Sequence, residues 1–120
     1  MEPEFSSVFE LEPTLKRING NTVLLKKLMG FFGGLYRNTG GEIADLVQRE
    51  NYAEAEMLAH RLVAASAQLG ALKLSKAASE VEQALKNQAL QDIGPSLGEL
   101  KRLLVQATAL AATYSASPEL

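Results

Sequence analysis

His60 is the single histidine of a 120-residue chain that has no cysteine and no tryptophan. An imidazole titrates near neutrality, so much of it is neutral and nucleophilic at cytosolic pH without an adjacent base. The missing thiols exclude disulfide frameworks, thiolate metal sites and cysteine-based protease or redox chemistry. One imidazole also falls short of the two or three that zinc sites combine. Glu56 and His60 stand at i, i+4, a spacing that supports a helix but leaves a metal short of ligands. The chemistry open to this chain therefore depends on where one ring points.

Composition narrows the setting. The chain is 47% hydrophobic and 22% charged, with a net charge of −2. Its 14 acidic and 12 basic residues are mixed along the sequence, so no basic stripe is available to track phosphates and nucleic-acid binding is not expected. There is no apolar run of membrane-spanning length, and Met1 to Glu4 is acidic rather than basic. The expectation is a cytoplasmic protein without signal peptide or membrane contact. One domain covers 1–120, with an ordered core at about 11–114, irregular ends at 1–10 and 115–120, and a monomeric state.

The elements that must position His60 read as helices, because no proline falls between Pro13 and Pro95 and β-branched residues are scattered. A short lid helix opens at Glu12 and Pro13, uses Leu15 and Ile18, and stops at Asn19-Gly20. Asn21 caps the next helix, whose positions Leu25, Leu28, Met29, Phe32, Leu35, Tyr36, Ile43, Leu46 and Val47 recur at three and four. The glycines at 30, 33, 34, 40 and 41 weaken it, yet the register carries through, which favours one helix over about 22–50 with a kink near Asn38 to Gly41 as the alternative. Further helices are expected at about 53–69, with Gly70 near the end, and at about 72–87, with Asn87 as the stop. Asp92 to Pro95 reads as a loop into a last helix that frays before Ser115. Short connections between four substantial helices give an all-α, antiparallel, up-down-up-down four-helix bundle.

On the helix at 53–69, Leu58, Leu62, Ala65, Leu69 and nearby Ala55 form the core stripe, and His60 lies about 180° from its centre. Its neighbours on the wheel are Val63, Ala64, Ala67 and Ala71, with Glu56 and Met57 at one end and Gln68 and Arg61 at the edges. A small, flat, apolar face around one imidazole is the composition of a contact surface.

The segment Ala59-His60-Arg61-Leu62-Val63-Ala64-Ala65-Ser66-Ala67-Gln68-Leu69-Gly70-Ala71 resembles the signature of histidine-containing phosphotransfer (HPt) domains of bacterial two-component phosphorelays. That signature is an alanine, the phosphorylated histidine, any residue, leucine, lysine, glycine, four variable residues, then an apolar residue and glycine. The likeness runs over about 11–114: Leu15 to Asn21, Leu24-Leu25 and Phe32 resemble the opening helices, Asn51-Tyr52 and Ala55 the entry turn, and Val81-Glu82 a hydrophobic-plus-glutamate position. Two departures stand out, Val63 where the family has lysine and Ala64 where it has glycine. The first removes a positive charge that would favour a phosphoryl group on the ring. The second adds a methyl group at the contact.

The resemblance implies that His60 accepts a phosphoryl group from the aspartate of one receiver domain and passes it to another, with receivers and a hybrid sensor histidine kinase as partners. It implies no resident cofactor, since magnesium belongs to the receiver. Met57, Val63, Ala64, Ala67, Gln68, Arg61 and Ala71 would form the docking surface. The alternative, suggested by Val63 and Ala64, is an HPt-like module that binds a receiver or other partner without efficient transfer.

Overall fold

The computed structural model describes residues 3–117. Those residues form an all-helical bundle: α1 Pro3–Val8, α2 Leu11–Arg17, α3 Thr22–Tyr36, α4 Thr39–Gln48, α5 Tyr52–Gln68, α6 Leu72–Lys86 and α7 Leu90–Ala116. No helix among the described residues is long and apolar enough to cross a membrane. The 27 residues of α7 rise about 40 Å, nearly the full 44 Å length of the molecule.

Contacts fix how the long helices run. His60 meets Glu82 and the Val63 carbonyl accepts from Ser75, so positions rise along α5 as they fall along α6, and the two are antiparallel. The same holds between α3–α4 and α7. Lys26 Nζ donates to the Ser117 carbonyl, Gly33 lies against Thr108 and Ala112, and Gly40 against Lys101.

The expected single helix over 22–50 is broken at Arg37 and Asn38, yet its halves keep one register along α7 across the break. Glycine explains how. A Cβ on Gly30 would sit 2.7 Å from Ser115 Oγ and one on Gly40 2.9 Å from Lys101 Cγ, so the bare backbone gives the α7 side chains room on both sides of the break. Asn21 caps α3 as expected, its Oδ1 accepting from the Leu24 N–H at 2.9 Å.

Two expectations at the ends are corrected. The stretch at 1–10 is ordered from α1 onward, because Phe5 and Phe9, one turn apart, are both buried. Phe5 stacks on Tyr114 with ring centroids 5.1 Å apart, and Phe9 meets Phe32 edge-on at 6.2 Å. Burial pushes the Tyr114 hydroxyl above its ordinary pKa. Met1, Glu2 and 118–120 lie outside the described residues, while helix α7 reaches Ala116. The loop expected at Asp92 to Pro95 is helical as well. Pro95 stands inside α7, where Gly94 has no Cβ to clash with the proline ring and Ile93 and Leu97 are held in the core.

Four helices end in the same way. After α5 the Ala71 N–H reaches the Ser66 carbonyl and the Gly70 N–H that of Ala67, with Gly70 at φ +78°. This Schellman pattern recurs after α2, α4 and α6, where Asn19, Glu50 and Gln88 hold the left-handed position. Glutamate and glutamine are strained there. Glu50→Gly and Gln88→Gly are each expected to stabilise the fold by about 1 kcal/mol. Thermal unfolding by circular dichroism checks this, and an unchanged or lower midpoint counts against it.

Candidate functional site

Helix α5 carries the histidine and α6 orients it. The buried face of α5 consists of Ala55, Ala59, Leu62 and Ser66, with Leu69 just past its end, while Leu58 and Ala65 are only partly covered. The core face is thus turned by roughly 40° from the expected stripe, toward Ala59 and Ser66. The residues on that buried face are mostly small, and α6 is the helix on which α5 packs most extensively. His60, next to Ala59, still falls outside, its side chain 71% exposed.

Among the described residues the ring has one hydrogen-bond partner. His60 Nδ1 lies 2.8 Å from Oε2 of Glu82, whose side chain is only 12% exposed. An ionised carboxylate can only accept, so in the neutral ring the proton rests on Nδ1 and the lone pair on Nε2. Nε2, across the ring, has no hydrogen-bond partner among the described residues. Glu56 is not the partner, although the i, i+4 spacing suggested it. Glu82 was read as a family-like position on α6 without being joined to His60, because a contact across two helices carries no local sequence signal.

Glu82→Ala is expected to release the ring from the Nδ1–H form and shift the tautomer ratio several-fold toward Nε2–H. Long-range nitrogen–proton correlation spectra of the imidazole read this directly. Identical nitrogen shifts in parent and variant would show that Glu82 does not select the tautomer.

The structure brings most of the expected surface together. Met57 and Ala64 are exposed, Val63 and Ala67 half-buried, and Arg61 and Gln68 exposed at the edge. Arg61 reaches back to Met57, its guanidinium 3.5 Å from the sulfur. Ala71 is the exception and is fully buried. Its place on the wheel assumed that the helix continues, whereas the left-handed turn at Gly70 sends the chain inward to begin α6.

One part of the surface was not foreseen. Phe31 and Leu35 of α3 are 64% and 70% exposed, although Leu35 was expected in the core. With Leu28, Ala65, Gln68 and Leu69 they line a hollow of about 200 Å³ between α3 and α5. The apolar ground around His60 therefore continues past Gln68 onto α3. Two adjacent aromatics at Phe31-Phe32 were the available signal, since a helix can bury only one of them on a narrow stripe.

Fold and site together define an all-helical domain that presents one carboxylate-held imidazole on an exposed, largely apolar helix face. Comparison of the chain with protein-family models, curated proteins and solved structures gives no match.

Proposed function

We propose that this domain is a phosphohistidine carrier of the HPt kind, taking a phosphoryl group from the aspartyl phosphate of one receiver domain and giving it to another. The observation that carries this reading is the exposed His60 with Nδ1 committed to Glu82 and Nε2 without a hydrogen-bond partner among the described residues. In the transfer the Nε2 lone pair forms a bond to phosphorus as the bond from phosphorus to the aspartate oxygen breaks, and the carboxylate leaves with the electron pair. Nδ1 keeps its proton. The ring becomes a cation, opposite the Glu82 carboxylate.

Phosphoryl transfer by a loose, in-line path needs positioning and charge neutralisation more than further acid–base groups, so a sparse site on the carrier is sufficient. Charge and magnesium would come from the receiver, and the apolar face would exclude water around the reacting atoms. We read α3–α4, α5, α6 and α7 as the four members of an up-down-up-down bundle with α2 as the lid over one end. A cytoplasmic monomer that meets receiver domains, loaded by a hybrid sensor histidine kinase, fits this role.

A second reading has its own observation. Val63 offers no charge beside the ring, while Phe31 and Leu35 extend the apolar surface, which suits binding without transfer. Mixing the chain with a phosphorylated receiver and measuring binding and movement of the phosphoryl group separately distinguishes the two. Loss of label from the receiver with gain on this chain supports the carrier. Binding with no gain supports the binding module.

A further inference from the structure

We propose that Arg61 supplies the positive charge for the phosphoryl group on His60, in place of the cation that Val63 lacks; this rests on the phosphohistidine reading. Arg61 is the only lysine or arginine on α5. The arginines that make ion pairs spend their charge locally, Arg49 on Asp45 and Arg102 on Glu99, and Arg17 donates to the Gln68 carbonyl. Among the described residues Arg61 has no carboxylate partner, and its guanidinium donates to the Met57 sulfur.

On the helix wheel Arg61 and Met57 project from the flank of His60 opposite to Val63. The bond from Nδ1 to Glu82 holds that edge of the ring toward α6 and leaves Nε2 without a hydrogen-bond partner among the described residues. Reaching back to Met57 holds that guanidinium along the exposed face. A planar guanidinium donates two parallel N–H bonds to two phosphoryl oxygens, which suits a group whose charge is spread over three. Arg61 donates hydrogen bonds without giving up a proton, and the bond changes remain those at Nε2 and phosphorus.

The test uses the whole chain and phosphoramidate, a small donor whose phosphorus–nitrogen bond breaks as ammonia leaves with the electron pair. This donor brings no receiver surface, so only the carrier's own groups act. Initial rates of acid-labile labelling are expected to fall about tenfold in Arg61→Gln, the lower end of what a hydrogen bond to a charged group contributes. Arg61→Lys should recover part of the rate, and Val63→Lys should recover it in the Arg61→Gln background.

Labelling of His60 at the parent rate in Arg61→Gln overturns the role of Arg61 and leaves the carrier reading standing. A loss that neither lysine recovers overturns it too, since a cation at that face would then not be what matters. If the parent chain takes no label and behaves as His60→Gln does, the carrier reading itself fails and this proposal with it.

Discussion

His60→Gln is expected to take no phosphoryl label from any donor while keeping the helical content of the parent chain. The imidazole is exposed, and among the described residues its one hydrogen bond is to Glu82. Glutamine fits the same helix position, and its amide N–H can still meet the carboxylate, so the stability change should stay within about 1 kcal/mol. What disappears is the lone pair on Nε2, because an amide nitrogen is not nucleophilic. No other histidine or cysteine can take over. Intact mass after exposure to phosphoramidate and to a phosphorylated receiver checks the loss, and circular dichroism checks the fold. Label retained by the variant would mean that another residue is the acceptor.

Gly70→Ala should have the largest effect on stability of the changes considered. Gly70 holds φ +78°, where a Cβ costs about 1–2 kcal/mol. That same Cβ would stand 2.6 Å from the Glu10 carbonyl oxygen and 2.7 Å from Thr14 Oγ1. The first is backbone and cannot swing aside, so α2 has to lift. Lifting it breaks the bond from the Glu10 N–H to the Gly70 carbonyl and strains the one from Arg17 to the Gln68 carbonyl. The total loss is expected to be about 2 kcal/mol or more, with a fall in Tm of roughly 10 °C. An unchanged Tm would show that α2 does not depend on this close approach. Helix α2 and the end of the histidine-bearing helix are therefore joined at one glycine.

This junction gives physical content to part of the sequence likeness. Leu69 is buried, Gly70 makes the left-handed turn under α2, and Ala59 is buried against α6. Each of these residues has a packing or backbone reason that would hold whether or not His60 carries phosphate. The exposed ring and its bond to Glu82 are different, since neither is needed to close the core.

Much of the architecture was legible because it is periodic. Helices α2, α5 and α6 end within a residue or two of where the apolar pattern and the capping residues place them, and His60 stands outside as its wheel position requires. Short and non-local features were not legible. Helix α1 has six residues, too few for a period to show, and its order comes from Phe5 meeting Tyr114 at the far end of the chain. The break at Arg37 and Asn38 leaves the hydrophobic register intact, so the register could not reveal it. Pro95 was read by its usual preference, which the packing of Ile93 and Leu97 overrides.

Within the site the pattern repeats. Met57, Ala64, Arg61 and Gln68 were read correctly as outward-facing because they lie within one continuous helix, where angle predicts exposure. Ala71 failed because a turn intervenes. Glu82 and the exposed pair Phe31 and Leu35 lie on other helices, and only the packed structure brings them beside His60 and Gln68.

The most direct test of the phosphohistidine account is to incubate the chain with a receiver phosphorylated on its aspartate and to map the product by fragmentation mass spectrometry under neutral conditions. The account predicts the mass of one phosphoryl group on residue 60, acid-labile, appearing as the receiver loses its own. Demonstrated binding to the receiver with no phosphoryl group on His60 would contradict it.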